Sequence, residues 1–530
     1  MALRNHLLRT AVACALLGAQ FLASATRADT FSVTSTSWGT ATTAGTLAWA
    51  IDQSNNSLAS GNVISIAPNL LIDVDGATAI DAALNLAQIT RSVTILGNNA
   101  TLVGNPTFIT SGAGSVVVTK YTPQSFEPGD ITVTPSFSFA KIGVFGQDNT
   151  GINVTMSGLN ADGLNRFALL ERGAALTYTS GSIVNSVNFL GASRGITPGF
   201  DASRASLTLD HVVINKAYGL DATAGGLIGG SDSQLNVSNT TVVGTDSGPV
   251  FVLAGGTGNV VSSVFDGSGG VLATGGSTIA QGTVNVVNSV VFLAGPLNGG
   301  ANDSFLENRL LAGDGGTINL TASTVIADLV SMQGTTAEAN GVPLDAAGGT
   351  ITLASSAVLV TTYDADGFQA QIGFQTSGGG SFSADAFSWV SPTPSQTAAD
   401  LQALFSQPAL LTGSPALPVT EISSSPLIEM TPPMPQASYP YVGGALIGVV
   451  PDVDGVNKLV SPIDGFTITT DVYGYARTTG GWRNVGAVEV LQTPVPEIDL
   501  GSAGCGVSLL FGALAWLEQR QRRRSGSSAH

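Results

Sequence analysis

Between residues 100 and 390, apolar and polar positions alternate in short runs cut by Gly, Asn and Ser. A period of two predicts short strands with one buried face, and helical spacing is nearly absent there. One unit recurs closely. It reads Gly282-Thr283-Val284-Asn285-Val286, then Asn288-Ser289-Val290-Val291-Phe292. It returns as Gly316-Thr317-Ile318-Asn319-Leu320 with Ser323-Thr324-Val325-Ile326, and as Gly349-Thr350-Ile351-Thr352-Leu353 with Ser355-Ser356-Ala357-Val358-Leu359, at spacings of 34 and 33 residues. Looser copies run through Val154/Met156, Leu176/Tyr178, Leu207/Leu209, Leu235/Val237 and Val260. One such unit cannot bury its apolar face, whereas stacked units do, like residue on like, with parallel hydrogen bonds between coils. Asn239 and Asn288 stand beside strands, where Asn suits tight bends because it tolerates the left-handed region. The pattern predicts an all-β chain, a right-handed parallel β-helix (solenoid) with an N-terminal cap and a small C-terminal domain. A β-propeller needs a steadier period of ~40–50 residues.

The ends of the repeat read differently. Phe31–Thr34 is a predicted strand, and Thr46–Asn55 is a predicted helix with Leu47, Ala50, Ile51 and Ser54 on one face. Strands at Val63–Ile66 and Val93–Gly97 follow. Prolines crowd residues 391–440 and mark the end of regular coils. The expected division is 1–28 signal peptide, 29–100 cap and first coils, 101–390 repeats, 391–494 C-terminal cap domain and 495–530 tail. The strand, helix, strand order over 29–100 resembles the start of bacterial right-handed β-helix surface proteins. Three later runs, Ser425-Pro426-Leu427-Ile428-Glu429, Thr470–Arg477 and Asn484–Glu489, resemble the elements of the choice-of-anchor Q domain. That resemblance implies a sorting context, not an activity.

Composition then narrows the setting. Arg4 and Arg9 precede the short apolar run Ala11–Ala25, with small residues up to Ala28, the order of a cleaved secretory signal. Leu500–Leu517 has no charge and is followed by Arg520, Arg522, Arg523 and Arg524, the order of a membrane span with a cytoplasmic stop. Val495-Pro496-Glu497 stands just before it. Motif, apolar helix and Arg cluster together resemble the PEP-CTERM sorting signal. The resemblance implies a processing protease that recognises Val495, Pro496, Glu497, Arg522, Arg523 and Arg524, and a place at the cell envelope, cell surface or extracellular matrix. Cys14 and Cys505 are the only cysteines and lie in these end segments, so no disulfide framework holds the middle. The net charge of −17 excludes nucleic acid as a partner, because phosphate binding needs a basic patch.

Candidate chemistry is sparse. His211 is the one histidine of residues 29–496, beside Asp210 and in phase with Leu207 and Leu209. A histidine metal cluster and a Cys–His nucleophile are therefore unavailable there. Asp73/Asp75, Asp364/Asp366 and Asp452/Asp454 each precede a glycine, and such loops supply two oxygen ligands to Ca²⁺; Asp364, Asp366, Asp452 and Asp454 are the weak candidates, with no other cofactor expected. Arg166, Arg172, Arg194, Arg204 and Lys216 fall among Asp162, Glu171, Asp201, Asp210 and Asp221. β-Helix polysaccharide lyases and hydrolases mix such charges in a groove, so Asp201, Asp221, Lys216 and Arg204 are the catalytic candidates if the chain is an enzyme. The leading expectation is an exported, surface-anchored or matrix scaffold or adhesin without catalysis. Its expected partners are extracellular polysaccharide or a neighbouring cell surface, the sorting protease, and the membrane through the C-terminal helix.

Overall fold

The computed structural model describes residues 28–74, 87–104, 107–110, 131–134, 138–144, 147–164, 166–184, 188–192, 205–217, 227–229, 233–244, 251–253, 256–267, 272–274, 282–297, 310–313, 315–331, 340–363, 371–393, 396–407, 411–412, 450–451, 459–472, 476–477, 482–483 and 486–487. Two compact units divide the chain, 1–488 and 489–530, and the second lies outside the described residues. The first is a β-rich unit most of whose described strands stack in parallel, consistent with an all-β solenoid.

Most of its strands form three parallel ladders, the third in two separate sheets, and two short pairs apart from them are antiparallel, Thr107–Thr110 with Ile131–Thr134 and Val450–Pro451 with Trp482–Arg483. The first links twelve described strands through eleven parallel pairings, from Thr30–Val33 through Asn62–Ile66, Val93–Val103 and Asn153–Asp162 to Thr350–Ala354 and Ser381–Ala384. A second ladder follows one corner later in each coil, and runs from Leu71–Asp73 to Trp389–Val390 and Leu411–Thr412. Shorter strands make the third, including Ser138–Ile142 and Arg166–Leu170 early and Leu310–Gly313 and Leu344–Ala347 late. Register aligns like with like: Val284 opposes Ile318, which opposes Ile351, and Val286, Leu320 and Leu353 form the neighbouring inward column. All six side chains are at most 1% exposed, and each such burial contributes roughly 1.5–3 kcal/mol. Gly258, not Val260, takes the place opposite Leu235 and Val284, so Val260 belongs to the column of Val237 and Val286. A glycine in an inward column hides the period from a hydrophobic count.

The corner between the first and second ladders is built the same way in coil after coil. Ser180, His211, Asn239, Ser262, Asn288, Ala322 and Ser355 have φ between 47° and 54°, which turns the chain sharply. Directly after five of these corners stands a buried hydroxyl, at Thr240, Ser263, Ser289, Ser323 and Ser356, and Ser388 takes the same place one coil later. Each such hydroxyl accepts the backbone N–H of its counterpart one coil earlier: Ser263 N–H to Ser289 Oγ at 3.1 Å, Ser289 N–H to Ser323 Oγ at 3.3 Å, Ser323 N–H to Ser356 Oγ at 3.1 Å. From Ser263 to Ser356, each also donates to the carbonyl two residues back, at 2.8–3.0 Å. The column thus satisfies amides that a sheet ladder cannot reach at a bend, where an unpaired buried amide is costly.

Helices close both ends of the stack. Thr46 caps Leu47–Asn56 by accepting the Trp49 N–H at 3.3 Å, and Leu47, Ala50, Ile51 and Ser54 are the buried residues of the helix, the face that its spacing predicts. At the far end Thr397 and Asp400 form a capping box on Ala398–Leu404. Leu401 is buried, and Phe405 stacks on Phe382 with ring centres 5.0 Å apart. Such caps cover the open edges of the stack.

Candidate functional surfaces

Three features of the first ladder and its corner stand apart from plain stacking. The first is a strap. Among the described residues, 459–472, 476–477 and 486–487 return to the corner after the stack has ended. Ser461 to Phe466 form a tight turn, with Ser461 N–H on Phe466 O and Gly465 N–H on Ser461 O, both 2.9 Å. Leu459, Ile463 and Ile468 pack on Val261, Val287 and Ala322. In the same outward column other coils carry Thr179, Asp210 and Ser238, so the valines are placed where the strap lands.

Arg477 latches the strap. It is 2% exposed. Its Nε donates to Asn288 Oδ1 at 2.8 Å, and Nη2 donates to the same oxygen, to Gly486 O at 3.0 Å and to Ala322 O at 3.4 Å. Asn288 in turn donates through Nδ2 to Ser262 Oγ at 2.7 Å and to Thr470 O at 3.1 Å. The strap ends with Gly486 N–H on Ser355 O and Ala487 N–H on Thr324 Oγ1, both 2.9 Å. Gly486 has φ +87°, and a β-carbon there would meet Thr324 Oγ1 at 2.3 Å. Ser461-Pro462-Ile463-Asp464 is a strap element that the sequence reading passed over. Its signal was the doubled valines at 260–261 and 286–287, which break the alternation.

The second feature is a single carboxylate, Asp210, held by hydrogen bonds at the corner. Asp210 accepts from Ser238 Oγ at 2.7 Å and Asn239 Nδ2 at 2.9 Å, while its other oxygen lies 2.9 Å from His211 Nδ1. Partial burial would raise this carboxyl, but hydrogen bonds from Asn239, His211 and Ser238, with the His211 charge, hold it below the ordinary carboxylate range. His211 does not continue the inward phase of Leu207 and Leu209. Its left-handed φ of 53° swings it out, and its side chain is 65% exposed.

The third feature is an uncharged face. Two outward columns of the first ladder run from Asn153 and Thr155 to Ser381 and Ser383 without one charged residue. Thr257, Thr283, Thr317 and Thr350 succeed one another in the first column, and Asn236, Asn259, Asn285 and Asn319 in the second. The asparagines bond side chain to side chain, Nδ2 to Oδ1, at 2.9, 2.9 and 3.0 Å.

The predicted charged groove is described only in part. Glu171 is buried and its Oε1 lies 3.0 Å from Lys141 Nζ. Asp210 serves the corner, and Arg172 is exposed. These described members therefore face different partners. Lys216 lies on the strand Val213–Ala217, and Asp201, Arg204 and Asp221 lie outside the described residues. So do Asp364, Asp366, Asp452 and Asp454, the run Ser425–Glu429, and the tail residues Val495, Pro496, Glu497, Arg522, Arg523 and Arg524. Among the described residues, no three His, Cys, Asp or Glu side chains gather closely enough to hold a metal ion. No described helix is long and apolar enough to cross a membrane, and Leu500–Leu517 lies outside that set. Compared with protein families, with curated proteins and with solved structures, the chain matches none.

Proposed function

We propose that this chain is an exported right-handed parallel β-helix that works as a scaffold or adhesin at the cell surface or in the extracellular matrix, without catalysis. The β-helix carries a choice-of-anchor Q-like C-terminal region and a PEP-CTERM-like tail. A single observation supports the reading best: one ladder keeps its register through eleven pairings, with a repeated corner, a helix at each end and a latched strap. Repetition of this kind gives length and stiffness from nearest-neighbour contacts alone, which suits a spacer. Its partners on this reading are extracellular polysaccharide or a neighbouring cell surface, a sorting protease and, through Leu500–Leu517, the membrane.

Two measurements test it together. Cells expressing the full chain and a chain lacking residues 495–530 are fractionated, and both purified chains are incubated with a panel of polysaccharides. Full-length protein in the envelope fraction, truncated protein in the soluble fraction and no cleavage of any glycan are expected. Identical partitioning would remove the anchor. Reproducible cleavage lost in Asp201→Ala or Asp221→Ala would replace the scaffold with a β-helix lyase or hydrolase.

A further inference from the structure

We propose that the uncharged Thr and Asn columns of the first ladder form an ice-binding face. The chain is strongly acidic, with a net charge of −17, yet neither column carries a charge from Asn153 to Ser383. The face is also a grid. Successive coils repeat at about 4.8 Å, and alternate residues along a strand at about 6.6–6.8 Å. Thr is stiff at χ1, so each threonine holds its hydroxyl and methyl in a fixed place. The neighbouring amides are fixed by their side-chain ladder. Thr257 is exposed, while Thr283, Thr317 and Thr350 are half-covered. The strap packs on the next column, at Val261 and Val287.

The chemistry of the grid selects among partners. Anions need cations, and these columns hold none. Sugar rings are gripped by aromatic faces, and the columns contain no aromatic residue. A hydroxyl bonded to a sugar merely replaces one bonded to water, with small net gain, and a flexible glycan loses freedom when it is laid along a flat face. A water lattice differs in charge, in order and in period. It is uncharged like the face, already ordered, and periodic in two dimensions, and the shorter oxygen repeat of an ice prism face lies close to the spacing between coils. Charged side chains would impose their own hydration on that lattice, and the face has none. The inference does not depend on how the protein is anchored.

The test is partition of the purified full-length chain into a slowly growing ice front, with inhibition of ice recrystallisation as a second readout. Several-fold enrichment in ice over an acidic control protein is expected, falling to unity for the double variant Thr283→Lys/Thr317→Lys. Thr317→Val, which keeps the branched shape, is expected to retain most of the enrichment. Gln375→Lys, exposed on the third ladder, should leave it unchanged. Circular dichroism and thermal melting must match the parent for each variant, so that lost binding is not lost folding. No enrichment of the parent overturns the proposal, as does enrichment that survives the double substitution. Binding to insoluble cellulose that the same lysines abolish, without partition into ice, would make the face a neutral-glycan site instead.

Discussion

Ser289 shows how much one hydroxyl carries at the corner. It accepts the Ser263 N–H and donates to Val287 O, at 0% exposure. Ser289→Ala leaves the Ser263 amide buried without an acceptor, whereas Val287 O still receives the Ser262 N–H at 3.0 Å. The expected loss is about 1–3 kcal/mol, read by urea denaturation. Ser180, exposed at φ 53°, tests the backbone conformation itself. A non-glycine residue there costs roughly 1–2 kcal/mol, which glycine avoids at some cost in chain entropy. Melting temperatures should therefore order Ser180→Gly at or above the parent, and Ser180→Val below it. At Asp210 the folded state favours the carboxylate. Its stabilisation is present above the ordinary Asp pKa of about 3.9 and is lost as pH falls through the lower folded value. The stability difference between the parent and Asp210→Asn should accordingly be seen at neutral pH and shrink in that acid range. A difference that grows on acidification would contradict the assignment.

The strap is the element whose removal separates packing from stacking. Arg477→Ala takes away the guanidinium that holds Asn288, Gly486 and Ala322 together and leaves those buried acceptors unfilled. Charge-assisted bonds are worth about 1.5–3 kcal/mol each, so the strap should come off while the ladders stay. Limited proteolysis is expected to cut within residues 459–487 of the variant and not of the parent, with strand circular dichroism unchanged. Gly486→Ala should act in the same direction, since its β-carbon has no room beside Thr324. How legible each element was depended on its period. The units at 282, 316 and 349 pair as their spacing of 34 and 33 predicts, because both inward columns there are filled by aliphatic residues. The repeat predicts two or three strands in each unit without placing the third, since strands such as Leu227–Gly229 and Phe251–Leu253 are three residues long and show no alternation. Docking of the strap joins residues 189 apart in sequence, beyond any local pattern.

At the scale of the whole first unit, stability rests on repetition closed off at two ends. Leu401 and Phe405 hold the C-terminal helix over Phe382 and Phe374. Phe405→Ala should cost about 3–5 kcal/mol of local packing and loosen that cover. Unpaired strand edges recruit other chains, so the variant is expected to self-associate with rising concentration in light scattering, while the parent does not. The strap adds a constraint of another kind, because it touches the corner at fixed places: Val261, Asn288, Ala322, Thr324 and Ser355. It acts as a ruler laid across neighbouring repeats. Unequal recombination can lengthen or shorten a repetitive gene, and the strap touches no coil ahead of Val261 among the described residues. Between Val261 and Ser355 an added or lost copy would leave the graduations of the ruler misaligned with the corners they measure. Length variants that arise among descendants of this sequence should therefore differ in the earlier coils and keep a constant copy number beneath the strap.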